Sequence, residues 1–348
     1  MRSHVQGFKI LGCKILGCKV GRLRFLRVPL VLALAAIVSS VALNRARSQL
    51  GFPAKPIYIF IPYGAGGVAD LTMRLLAQKL TERTKQQVVI ENRPGAAGLL
   101  SAKEVFKAPA DGYTLDVVGN GQAIAMSLFK TRPYNVLTDF TFVSITARFE
   151  MLLAVKADSP LKTLQDVVAA ASKSPGKLSF GAINPGSTQN LSAHLLKQVS
   201  GVDVTIVPYK TTPDLVTSVL RGDVDVGFDF YAGLQAVISD NQVRIIATSG
   251  EERNPLLMNV PTAKQSGFPE YVVTSWNGLA SAAGMPAETL SILNQHVNAA
   301  LADPVLQATA STLGMDARGS TVEEMRDRMA ADVKKWAAVI EKAGIEKQ

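Results

Sequence analysis

The stretch "IYIFI" at 57–61 is apolar at every position, so both faces of the strand it predicts must be covered. The next residues, "PYGAGGVADL", lead directly into a segment with Leu71, Leu75, Leu76 and Leu80 on one helical side. A doubly covered strand feeding a helix through a glycine turn is the unit of a parallel or mixed sheet with helices on its faces. That unit recurs along the chain, and its recurrence constrains the fold more than any composition does.

"QQVVIENRPG" reads as a second strand and turn, "SAKEVFKA" as a second helix, and "APADGYTLDVVG" as a turn feeding a third strand. The alternation resumes at Met151. "MLLAVKA" is a strand, "TLQDVVAAASK" a helix, and "KLSFGA" a strand running into "INPGSTQNLSAHLLKQVSG". Strand "VDVTIVPY", helix "PDLVTSVLRG" (bounded by Pro213 and Gly222), strand "DVDVGFDF" and strand "QVRIIATSG" follow. The C-terminal segment predicts a helix opened by a Ser320–Glu323 capping box. Its apolar positions are Val322, Met325, Met329, Val333, Trp336 and Ile340, and Gly344 closes it. The expected fold is α/β, with mainly parallel sheets flanked by helices.

Charge first suggests an anionic macromolecule, because the 348 residues carry a net +9. Nine basic residues and no acidic ones lie in 1–48, which leaves 28 basic against 28 acidic groups beyond them. The remainder is neutral, and the nucleic-acid reading loses its support. The basic stretch precedes the apolar run Val28 to Leu43, and Ala46-Arg47-Ser48 supplies a small-x-small site. Residues 1–48 therefore read as an export signal peptide cleaved near Ser48, implying a periplasmic protein. An uncleaved anchor is the other reading, although the run falls short of the ~20 residues that span a bilayer. Cys13 and Cys18 both lie in this presegment, so the mature chain would hold no disulfide, thiol nucleophile or cysteine–metal site.

Two loops stand out chemically. In "PYGAGGVAD", Tyr63, Gly64, Ala65, Gly66, Gly67 and Asp70 surround the start of a helix, where free backbone N–H groups suit an anion. The glycines do not space as G-x-G-x-x-G and no G-K-[ST] follows, so this is no nucleotide fingerprint. A tight turn needing positive φ explains the glycines equally well. In "GAINPGSTQN", Gly186, Ser187, Thr188 and Gln189 form a second strand-to-helix loop, with Ser187 or Thr188 as N-cap. The loops lie about 120 residues apart, one in each candidate domain. Two helix N-termini facing each other would clamp a small anion, most simply a carboxylate. Four charge-assisted hydrogen bonds at ~1.5–3 kcal/mol each reach the ~8 kcal/mol of micromolar binding, even after some association cost.

Further candidates each have a plainer alternative. Asn120 and Gln122 in "GNGQA" reach the cleft or form a turn. Lys210 after Tyr209 neutralises an anion or is solvated, and Asp229 points at a ligand or ends its strand. Trp276 lines the cleft or packs beneath it. Catalysis is weakly supported. Ser187 has no G-x-S-x-G around it, His194 lies two helical turns beyond it, and His296 stands elsewhere alone. Asp223 and Asp225 resemble an acid pair but read equally as solvated strand-end carboxylates. No H-E-x-x-H or His/Cys cluster exists, so no metal or cofactor is expected. A periplasmic hydrolase using Ser187 remains the alternative from the enzyme class.

"KPIYIFIPYGAGGVADLTMRLLAQKL", "VVIENRPGAAG", "KAPADGYTL", "VPYKTTPDL", "GDVDVGFD", "NVPTAKQSGFPEY" and "SWNGLASAAGMP" occur in order from Phe52 onward. Together they resemble the substrate-binding proteins of tripartite tricarboxylate transporters, the Bug family of periplasmic receptors. The resemblance implies a two-lobed Venus-flytrap fold, with lobe one at 50–151 plus 272–348 and lobe two at 152–271. It implies a small organic acid ligand held by backbone amides of the two loops and by waters, and integral-membrane transporter subunits as partners; nothing in the sequence argues against a monomer. A sensory receptor of the same fold is the alternative. Departures are visible: Gly64-Ala65 stand where the family has prolines, Val68 fills a usually polar slot, and Asn184-Pro185 replace glycine or small residues. Phe230 and Tyr231 make "FDFYAGLQAVI" unusually aromatic, which suggests a pocket wall for a bulky ligand.

Overall fold

The computed structural model describes residues 51–95, 98–131, 134–183 and 186–347. The predicted export signal, both cysteines and the Asn184-Pro185 departure lie outside the described residues. Strand β1 (Ile57–Ile61) pairs in parallel with β2 (Val88–Asn92) and β3 (Thr114–Gly119). Helix α1 (Val68–Thr84) follows β1, α2 (Leu99–Lys107) follows β2 and α3 (Asn120–Leu128) follows β3. Strand β4 runs unbroken from Phe140 to Lys156. Beyond it come α4 (Leu164–Lys173), β5 (Ser179–Ile183), α5 (Thr188–Ser200), β6 (Thr205–Tyr209), α6 (Thr212–Arg221), β7 (Val226–Phe230), α7 (Tyr231–Ser239) and β8 (Val243–Thr248). The chain then returns through β9 (Thr274–Ala282) to α8 (Ala287–Leu301), α9 (Pro304–Thr312) and α10 (Val322–Lys342). Among the described residues no helix is long and apolar enough to cross a membrane.

The strand order is β2-β1-β3-β9-β4-β7-β5-β6, with β8 on the other side of β4. β4 therefore serves two neighbourhoods. Its first part, Phe140 to Glu150, pairs antiparallel with β9; its second, from Met151, pairs antiparallel with β7 and β8. Sequence patterning predicts a strand only from Met151. The earlier part was missed because "FTFVSITARFE" mixes polar and apolar residues, and β-bulges at Phe142/Ser144 and Ile145/Ala147 break its period of two.

Strand direction fixes where a ligand can sit. β3 is antiparallel to β9, and β9 to β4, so β3 runs along β4 toward Met151. β7 runs the opposite way, from Gly227 beside Ala154 to Phe230 beside Met151. Gly119, the last residue of β3, pairs with Asn277, which pairs with Ala147. The carboxyl ends of the two parallel strand sets thus point at one another across four residues of β4, roughly 13 Å at ~3.3 Å per residue. Facing strand ends of this kind are where α/β sheets bind ligands.

Helix α10 covers the crossing. Met325, Met329, Trp336, Val339 and Ile340 are buried along one stripe, as the apolar spacing predicts. The capping box is displaced by one residue from the predicted pair. Thr321 accepts from Glu324 N (3.0 Å) and Glu324 Oε2 from Thr321 N (2.8 Å). Ser320 instead turns inward, where its Oγ accepts from Ile145 N at 2.9 Å and its N–H donates to Ser144 Oγ at 2.9 Å. The fully buried Trp276 packs beneath the cleft and donates from Nε1 to Asp332 Oδ2 at 2.6 Å, which also receives Arg328 Nε at 2.9 Å. Removing the acceptor leaves a buried indole N–H unpaired and the Arg328 guanidinium without its carboxylate, held only by Thr274 O. Asp332→Ala should cost ~2–4 kcal/mol, read as a lower denaturant midpoint at unchanged slope; a loss under ~0.5 kcal/mol, the range of an ordinary surface change, would contradict this role.

Candidate functional site

The two loops repeat one geometry. In the first, Gly66 has φ 79° and its N–H donates to Asp70 Oδ2 at 2.9 Å. In the second, Gly186 has φ 79° and its N–H donates to Asn190 Oδ1 at 3.2 Å. The residue after each glycine is the N-cap, Gly67 at φ −79°, ψ 171° and Ser187 at φ −72°, ψ 163°. Each loop is thus a left-handed glycine whose amide is tied by a side chain four residues ahead, in the first turn of its own helix. No acceptor among the described residues takes the N–H groups of Gly67, Val68 and Ala69, or those of Ser187, Thr188 and Gln189. These are the orphan donors of two helix N-termini, α1 and α5.

The predicted residues sort by what they touch. Gly64, Ala65, Gly66 and Gly67 are exposed at the end of β1, and Gly186 and Ser187 are half-buried at the end of β5. A Cβ on Gly186 would strike Leu128 Cδ2 at the end of α3, so this loop touches an element of the first half. Tyr63 leans on α3, its hydroxyl 3.0 Å from where a Cβ on Gly121 would lie. Asp70 serves the loop itself, also receiving Arg74 Nε (3.0 Å) and Asn92 Nδ2 (3.0 Å). Burial pushes the Asp70 carboxyl up, but the Arg74 guanidinium, the Gly66 amide and Asn92 outweigh it and hold it below the usual carboxylate range.

Ser187 is a cap: its Oγ donates to Ile183 O and accepts from Asn190 N at 3.1 Å. His194 lies farther along α5, where burial and then the Lys197 charge hold its imidazole below its ordinary value. Gln189 Nε2 donates to Asp229 Oδ1 (3.2 Å), while Asp229 also takes Thr212 Oγ1 (2.5 Å) and Phe230 N (2.8 Å). Asp229 is 2% exposed, and burial raises its carboxyl against these donors. The network ties together the starts of α5, α6 and α7. The Tyr209 ring, by contrast, packs over Gly181 with the Leu215–Val219 face of α6. Asp225 accepts from Ser179 N and Oγ, a strand-to-strand tie, whereas Asp223 is exposed. Phe230 meets Phe149 edge-on at 4.7 Å, and Tyr231 lies against Gly314.

Helix α3 went unread, because "GNGQAIAMSL" opens on turn residues and is buried almost all round. Gln122 accepts from Gly119 N (2.8 Å) and donates to Val117 O (3.3 Å), closing the β3–α3 turn. Asn120 is its first helical residue and is buried at the end of β3. A cavity of about 610 Å³ lies at this same crossing of β4, beside Arg148, Phe149, Glu150, Asn254 and Met315, and no residue of either loop lines it. Among the described residues no group of three His, Cys, Asp or Glu could hold a metal.

A carboxyl whose folded pKa is depressed contributes stability that is complete above its unfolded value, ~3.9, and is lost as pH falls through the folded value. The thermal midpoint of the wild type should therefore exceed that of Asp70→Asn by a constant margin from pH 7 to about pH 5, and the margin should shrink below about pH 4. A margin that instead grows on acidification would contradict the assigned role.

A family model described as the tripartite tricarboxylate transporter family receptor matches residues 72–345. Protein BugT of Bordetella pertussis is 28% identical over 295 residues, 84% of this chain and 90% of that protein. Two solved structures are similar along nearly their whole length. One is R. palustris Rpa4515 with adipate: 31% identity, TM-score 0.77, 85% of this chain and 99% of that one. The other is MatC from Rhodopseudomonas palustris with bound malate: 27% identity, TM-score 0.72, 83% of this chain and 100% of that one. With facing strand ends and paired helix N-termini already in place, the chain belongs to the tripartite tricarboxylate transporter receptor family, and is a two-lobed α/β solute-binding receptor of the Bug type rather than an enzyme.

Proposed function

We propose that the protein binds a small organic acid between its halves, gripping a carboxylate with the orphan amides at the starts of α1 and α5. The observation that carries this reading is the repeated loop geometry: two positive-φ glycines, each anchored by Asp70 or Asn190, at the ends of β1 and β5. The donors are backbone groups held in place before the ligand arrives, so little ordering cost is left to binding. Each helix end adds up to ~1–2 kcal/mol for an anion. The adipate and malate of the two solved relatives are both dicarboxylates, which supports the same class here.

In this reading the lobes divide as 50–151 plus 272–348 and 152–271, and ligand shifts an open–closed equilibrium about β4 and β9. The protein acts outside the cytoplasm as a monomer, exported by its N-terminal segment, and the closed form delivers its ligand to membrane transporter subunits.

Calorimetry against mono-, di- and tricarboxylates, with the matching amides as uncharged controls, tests the reading. At least one carboxylate should bind at micromolar strength and its amide should not; equal binding of acid and amide, or a flat panel, would overturn it. Gly186→Ala forces a side chain into φ 79° and against Leu128. It should weaken the hit at least ~10-fold, about 1.4 kcal/mol.

A further inference from the structure

The cavity at the β4 crossing is lined by two opposite charges that the structure leaves unmatched. Arg148 and Glu150 stand two residues apart on β4, so both side chains leave the same face of the strand, from Cα atoms ~7 Å apart. The other walls come from segments before and after β9: Asn254 and Leu256 on one side, Ser311 of α9 and Met315 on the other. At about 610 Å³ the space falls within the ~300–1,000 Å³ of small-molecule sites.

Among the described residues neither Arg148 nor Glu150 forms an ion pair. Arg148 Nη1 donates to Arg318 O at 2.9 Å, and its other guanidinium nitrogens have no acceptor among the described residues. Glu150 accepts only from neutral donors, Asn254 Nδ2 at 2.7 Å and Gly250 N at 2.8 Å. Burial is the largest influence on both groups. It pushes the Glu150 carboxyl up and the Arg148 guanidinium down, so each charged form lacks the counterion that would offset its desolvation.

The ionisable lining balances, with Arg148, Arg253 and Arg318 against Glu150, Glu252 and Asp316. A lone anion would gain Arg148 but face three carboxylates, and a lone cation would gain Glu150 but face three guanidiniums. A molecule carrying both charges pairs with both and adds no net charge. We infer that this cavity is a second binding site, for a small zwitterion such as an amino acid, whose carboxylate pairs with Arg148 and whose ammonium pairs with Glu150. The planar guanidinium fork suits a carboxylate, and a carboxylate has lone pairs beyond the two that Asn254 and Gly250 use. Leu256 and Met315 supply apolar wall for the remainder of the molecule. The site is independent of the clamp, since no residue of either loop lines it.

The test is calorimetry on the full chain with matched trios: leucine, 4-methylpentanoate and 3-methylbutylamine; phenylalanine, 3-phenylpropionate and phenethylamine. Glycine, β-alanine and 4-aminobutyrate, with their matching acids and amines, vary the charge separation. At least one zwitterion should bind, at least ~10-fold more tightly than the analogue lacking either charge, because each missing charge leaves a half-buried ion unpaired. Arg148→Gln and Glu150→Gln should each weaken that binding at least ~10-fold. Both should leave carboxylate binding at the clamp within about 2-fold. Glu150→Gln also disturbs the ties to Asn254 and Gly250, so Arg148→Lys gives a second reading. It keeps the charge without the fork and should lose less than Arg148→Gln.

A panel in which no zwitterion binds, or in which an acid or amine binds as tightly as its zwitterion, would overturn the second site. So would zwitterion binding that survives both Arg148→Gln and Glu150→Gln, or that is lost in Gly186→Ala and kept in Arg148→Gln. Zwitterion binding that follows Arg148 and Glu150 beside a flat carboxylate panel would overturn the carboxylate reading alone.

Discussion

Continuous hydrogen bonding along β4 holds the molecule together and also divides it. A strand of 17 residues passes from a ladder with β9 to ladders with β7 and β8 without leaving extended conformation. Because the parallel strands on either side approach β4 from opposite directions, their carboxyl ends converge between Ala147 and Met151. The helix N-termini gather there as a consequence. Any relative movement of the halves must be absorbed within these few residues of β4 and at the matching start of β9, since the ladders on both sides resist deformation.

The chemistry of the site follows from what the backbone leaves unpaired. The charged and polar side chains nearest the loops mostly hold structure: Asp70 and Asn190 fix the two glycines, Asp229 and Gln189 tie three helix starts together, and Ser187 caps α5. In the proposed reading the backbone amides would recognise the charge common to all carboxylates, and the side chains around them hold those amides in place.

Much of this was legible in the sequence, for physical reasons that also explain what was not. Continuous apolar runs such as "IYIFI" must be doubly covered, which exposed the parallel strands, and glycine-rich exits marked both loops. The first half of β4 and the whole of α3 were hidden because bulges spoil strand alternation and a helix buried on nearly every side has no amphipathic stripe. The capping box moved by one residue because Ser320 was drawn into hydrogen bonds with Ser144 and Ile145, a tertiary effect invisible locally. Asp70 looked like a ligand contact by its position, yet its carboxylate is filled by Gly66, Arg74 and Asn92. The facing of the strand ends could not be read at all, because it depends on β9 lying beside β3, a pairing between residues about 160 apart.

The most direct test of the central claim is a crystal structure of the protein with the tightest-binding carboxylate of the panel. The account predicts carboxylate oxygens within ordinary hydrogen-bond distance, ~2.7–3.2 Å, of amides in both Gly67–Ala69 and Ser187–Gln189. A ligand held by one loop alone, or seated in the cavity beside Arg148 and Arg318, would contradict it.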